Sequence, residues 1–65
     1  MQEFSESDIK RWSRLSEENR QIFASYIQAK QKADEAYDAR DGAATSGWAL
    51  RRTMIREEIG RRIFG

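Results

Sequence analysis

An all-α chain follows from three features of these 65 residues. There is no Val and no Pro, while Ala, Glu, Gln, Lys and Arg abound, a composition that favours helix over strand. Apolar side chains recur every three or four residues, the repeat of one helix face. Charges are many and balanced, 12 Lys and Arg against 11 Asp and Glu with a net charge of +1, which suits solvated helix faces. The expected architecture is one domain over residues 1–65. A short N-terminal helix precedes a long central helix and a C-terminal helix folded back on it as an antiparallel hairpin, completed by oligomerisation.

Met1 to Glu6 read as loose, with Phe4 either docked on the core or exposed near a frayed end. Ser7 is the expected N-cap of a helix over about Asp8 to Arg14, with Asp8 in its first turn. Ile9, Trp12 and Leu15 recur at spacings of three and share one side, expected to cover the bulky half of the central helix. Only Ser13 and Ser16 mark a break before the next helix, so a kinked continuous helix is the alternative.

The central helix is predicted over about Glu17 to Arg40. Ser16 caps it, Glu17 and Glu18 complement its dipole, and Asn19 stands where Glu or Gln would complete a capping box. Gly42 is the expected stop. Ile22, Tyr26, Ala29, Ala33, Ala36, Tyr37 and Arg40 share one face. Phe23 and Ile27 broaden that face in its first half. Alanines narrow the second half, which predicts close approach of another helix.

A loop over Asp41 to Ser46 is expected, with Thr45 or Ser46 capping a last helix from about Gly47 to Ile63. So short a connection makes neighbouring helices antiparallel. Trp48, Ile55, Ile59 and Ile63 fall on one face, with Leu50 and Met54 nearly opposite. Two apolar strips need two covering surfaces. The expected interhelix contact is Ile22, Tyr26, Ala29, Ala33, Trp48, Ile55 and Ile59. The expected contact with a second chain or a larger protein is Leu50, Met54, Ile63 and Phe64. Gly60 either admits a close contact or weakens the helix by about 1 kcal/mol relative to Ala.

Charge is unevenly distributed. From Trp48 onward five arginines face two glutamates, giving +3, and the preceding residues sum to −2. In an antiparallel hairpin Asp34, Glu35, Asp38 and Asp41 meet Arg51, Arg52 and Arg56, so ion pairing is the first expectation. The competing one is phosphate binding by Arg51, Arg52, Arg56, Arg61 and Arg62 on a helix that follows a Gly-containing turn. The acidic preceding helix opposes nucleic acid, and a membrane-surface role is disfavoured.

Several classes of chemistry lack their residues. There is no His and no Cys, hence no disulfide and no zinc site built on those ligands. Nothing pairs a nucleophile with a base, and no glycine-rich phosphate loop follows a strand. Asp34, Asp38 and Asp41 share one side of a helix but miss the alternate-position pattern of a calcium loop. No catalytic residue, cofactor or metal is therefore expected. Met1–Gln2–Glu3 does not begin a signal peptide, and no apolar run reaches the ~20 residues a bilayer requires. A cytoplasmic setting is expected.

A chain this short buries only about 60% of its unfolded surface, so self-association or docking is the expected reinforcement. The leading functional expectation is a non-enzymatic helical protein–protein interaction or regulatory module, working as a homo-oligomer or on a larger partner. A DNA- or RNA-binding regulator using the final arginines is the alternative, and a fragment of a longer chain is the third.

Overall fold

Three helices, α1 (Glu6–Ser13), α2 (Glu17–Asp38) and α3 (Gly42–Phe64), make up the computed structural model, which describes residues 4–65. Of the loose start expected over Met1 to Glu6, Met1 to Glu3 lie outside the described residues, and the rest is ordered: Phe4 packs on the core, Ser5 caps α1 and Glu6 opens it. No strand occurs among those described.

α1 is capped by Ser5, not Ser7. The Ser5 hydroxyl accepts from the Asp8 backbone N–H at 3.3 Å, and the Asp8 carboxylate accepts from the Ser5 backbone N–H at 2.9 Å. That reciprocal box needs an acceptor three residues after the cap. Ser5 has Asp8 there, whereas Ser7 has Lys10, which has no acceptor. The Ser5 backbone N–H and hydroxyl hold the Asp8 carboxyl below its ordinary range.

A real break follows α1, so the continuous kinked helix is excluded. Leu15 N–H closes on Trp12 O at 3.1 Å, and Ser16, in extended backbone, caps α2 by accepting from Asn19 N–H at 3.1 Å. The Asn19 side-chain amide also donates to Trp12 O at 3.0 Å. It therefore adds a second donor to a carbonyl at the end of α1, which a Glu at that position has no donor to do. Leu15 departs from expectation and is 76% exposed. α1 has already ended at Ser13, so Leu15 no longer shares the phase of Ile9 and Trp12.

The α2–α3 connection is shorter than the expected loop. Arg40 N–H donates to Tyr37 O at 3.0 Å and Asp41 N–H to Ala36 O at 2.9 Å, the paired bonds of a Schellman ending. Arg40, at φ 58°, takes the left-handed position that glycine usually fills. Asp41 then caps α3, accepting from Ala44 N–H at 3.1 Å. Gly42 is thus the first residue of α3 and not the stop of α2. Thr45 sits inside α3, where its hydroxyl donates to Asp41 O at 2.8 Å. An aspartate cap beside a chain reversal outcompetes Thr45 and Ser46 because helix can begin immediately behind it.

The long helices pack against each other and run antiparallel: Glu18 near the start of α2 meets Arg62 near the end of α3 at 3.2 Å. Ile9, Trp12, Tyr26 and Ile59 form the buried centre, one or two from each helix. Phe4, Ile22, Phe23, Ile27, Ile55 and Ile63 pack around it. Ala29 and Ala33 are also buried, along the narrow half of the α2 stripe.

Candidate interaction surface

The face of α3 turned away from Ile59 carries two large uncovered apolar side chains. Leu50 and Met54, one helical turn apart, are 62% and 59% exposed, while Ile59 is fully buried. At 100° per residue Met54 and Ile59 lie about 140° apart, so no single rotation of α3 shelters both. Beside them runs an open groove bounded by Ile22 and Ser25 of α2 and by Arg51, Ile55, Glu58 and Arg61 of α3. A second apolar area joins Leu15 and Phe64 across Trp12 and Ile63.

The residues named for the interhelix contact are placed unequally. Tyr26, Ala29, Ala33 and Ile59 are buried, and Ile22 and Ile55 are half-buried against the central cluster. Trp48 is half-buried and outside that cluster. Among the residues named for an outer contact, Ile63 packs partly on the core. Phe64 is 49% exposed, its ring edge-on to Phe4 at 5.7 Å between centroids.

The arginines do not meet the acids expected of them. No ion pair joins Asp34, Glu35, Asp38 or Asp41 to Arg51, Arg52 or Arg56 among the described residues; Glu35 pairs with Lys32 instead. Helical phase explains this. Asp34 and Glu35 are exposed on α2, and Arg51 is exposed on α3 away from the core, so their side chains diverge. The interhelix pairs fall elsewhere: Lys30 with Glu6 at 3.2 Å and Arg62 with Glu18 at 3.2 Å.

Three of the five candidate phosphate contacts are held within the protomer. Arg61 donates to Glu58 at 2.8 and 3.2 Å, and Arg62 donates to the other oxygen of Glu58 at 3.0 Å. Hydrogen bonds from Arg61 first, then from Arg62, hold the Glu58 carboxyl below its ordinary range. The Glu58 hydrogen bond, followed by that of Glu18, raises Arg62. Arg56 donates to the Phe4 carbonyl at 2.7 Å, and its guanidinium lies 4.7 Å from the centroid of the Phe4 ring. Arg51 and Arg52 are in none of the ion pairs between described residues.

Sequence reasoning allowed Phe4 a place on the core and Gly60 a close contact, but it did not join them and it missed Arg56 as their third member. A Cβ built on Gly60 would stand 2.9 Å from Phe4 Cε1, so the missing side chain is what seats the ring. The readable signal is a glycine inside a helix on a phase that brings it near an aromatic of the N-terminal segment. Among the described residues no three acidic side chains gather as a metal site, and no helix is long and apolar enough to cross a membrane.

The geometry defines a three-helix unit with a closed core and an uncovered face. Compared with known proteins, the chain has no significant match to a family model, a curated protein or a solved structure.

Proposed function

We propose that this protein is a non-enzymatic helical protein–protein interaction module, working by association, with the outer face of α3 as its contact surface. The observation that carries the reading is the exposure of Leu50 and Met54 on the flank opposite the buried Ile59. Fully burying a Leu or Met side chain is worth about 1.5–3 kcal/mol. Two such groups are a large share of the few kcal/mol that stabilise a domain of this size. Covering them by association supplies what the small core lacks.

The nucleic-acid alternative is supported less well. Arg56, Arg61 and Arg62 would have to leave Phe4, Glu58 and Glu18 to reach phosphates. Titration with duplex DNA at low salt, where phosphate contacts are strongest, is expected to show no retention.

Light scattering over a dilution series tests the reading. A mass above that of one protomer is expected at high concentration, falling to one protomer in L50E/M54E with helix content unchanged. A stable, protomer-sized species at every concentration would overturn self-association.

A further inference from the structure

We infer that the occupant of the outer α3 face is the same face of a second copy, laid antiparallel across a two-fold axis beside Met54. The inference rests on the interaction-module reading and adds the partner and its register to it. Three features of the face carry it, and they are the pattern of apolar side chains, the placement of charge and the space available.

Leu50 and Met54 are the apolar centre of the stripe. A two-fold beside Met54 sets Met54 against its own copy, with one Leu50 a turn away on either side. Met suits a self-contact because its unbranched thioether fills irregular gaps. The charges fit the same operation. Arg51 and Glu58 lie on one flank of the stripe, about 60° and 40° from Met54 in helical phase. They are also nearly equidistant from Met54 along the chain, in opposite directions. In an antiparallel pair related by a two-fold, residues on the same flank and at equal distances from the axis adjoin. Arg51 of each copy therefore meets Glu58 of the other, giving two identical pairs.

Arg51 pairs with no described acid within its own chain. Glu58 has acceptor capacity left on the oxygen that takes only Arg62, since each carboxylate oxygen has two lone-pair sites. The charges along the stripe, Arg51, Glu57, Glu58 and Arg61, sum to zero, so two copies do not repel. A parallel two-fold would instead put each Arg51 and each Glu58 on the opposite flank from its copy and leave Arg51 and Glu58 without each other.

Space permits the approach. A Cβ on Gly47, on the same stripe, would meet nothing within 4 Å. A standard interface buries about 800 Å² per partner. That is roughly a sixth of the 4918 Å² exposed by this protomer. The patch offered to it is one helix face with the adjoining flank of α2 at Ile22 and Ser25. A two-fold pairing uses one patch twice and closes on itself.

The experiment is a pair of nitroxide distances combined with the solution mass. The chain has no Cys, so labels go only where they are introduced. Thr53→Cys and Ser46→Cys place them at exposed sites on one flank of α3, beside the stripe. A mass of two protomers is expected. In the antiparallel arrangement the Ser46 labels are about 21 Å further apart along the helix axis than the Thr53 labels, at 1.5 Å per residue in each copy. Equal separations at the two sites would overturn the arrangement while leaving self-association standing. A protomer mass throughout would remove the underlying reading as well, and a mass above two protomers would exclude the closed pair. Charge reversal gives a second readout. R51E is expected to weaken the pair about tenfold. No weakening by R51E counts against the register.

Discussion

At one end of the α2–α3 hairpin, Ile9 and Trp12 of α1 close over Tyr26 and Ile59, and Phe4 wedges in beside Gly60. Toward the connector, α2 offers Ala33 and Ala36 in place of bulky groups, Trp48 is only half-buried, and Tyr37 is 74% exposed. The first end obtains its burial by adding a third element. The second obtains it from small side chains that leave little to cover. The contrast teaches that α1, only eight residues long, turns a two-helix hairpin into something with an interior. It also predicts where resistance to opening resides, since local stability follows buried apolar contact.

The strongest way to break the contrast is Ile59→Ala. Ile59 is fully buried at the meeting point of all three helices, so its truncation is expected to cost about 2–4 kcal/mol. Against a total of a few kcal/mol, urea denaturation should find the variant largely unfolded at 25 °C. Retention of most of the wild-type midpoint would show that the α1 end is not where stability is concentrated.

Phe4 and Gly60 offer a finer test. Phe4→Ala removes an edge contact with Phe64 and the cation contact with Arg56, expected to cost about 1–2 kcal/mol. Gly60→Ala should give no gain in the wild-type chain, because its Cβ collides with the Phe4 ring. In the Phe4→Ala background the same change should stabilise by about 1 kcal/mol, the helix-propensity difference. Thermal melts of the four species measure the coupling, and simple additivity would mean that the ring is not seated on Gly60.

The connector end should respond in the opposite direction. Arg40 holds a left-handed backbone at φ 58°, a conformation costing about 1–2 kcal/mol for an L residue. Arg40→Gly removes that strain but loosens the unfolded chain, leaving a net gain of about 0.5–1 kcal/mol. A melting point raised by about 4 °C is expected, and a lowered one would show that the Arg40 side chain has a role of its own.

The smallest effect concerns pH. The Asp8 carboxyl is held low by Ser5 and the Glu58 carboxyl by Arg61, so both favour the folded chain while ionised. Their contributions are present above the unfolded carboxylate range near pH 4 and fade as pH falls through the depressed folded values. Melting points followed from pH 6 to pH 2 should therefore drop more steeply in the wild type than in Asp8→Asn. Parallel curves would indicate that the box does not depend on charge.

Much of the helical plan is legible in the sequence because it rests on near-neighbour chemistry. The Ser16 cap, the two-sided pattern of α3 and the alanine half of α2 are all readable from spacing. What escapes depends on competition between signals. Ser5 and Ser7 are both good caps, and Asp8 chooses between them. Gly42 looks like a stop only until Asp41 is seen as a start. The arginine partners escape because charge totals carry no phase: +3 facing −2 says nothing of which side chains point toward each other. Leu15 is misplaced by periodicity because the repeat does not extend past the end of α1.

The rings of Phe4 and Phe64, in edge contact at 5.7 Å, bring sequence-distant positions to one corner of the molecule. A brief Gly/Ser tether could therefore splice the region of Phe4 to that of Phe64 and let the backbone be reopened between Arg40 and Asp41. Such a circular permutant would begin with α3, run on through α1 and finish with α2. Because the old reversal is then cut, Arg40 is freed from its left-handed conformation, and the order in which the helices are synthesised becomes a variable.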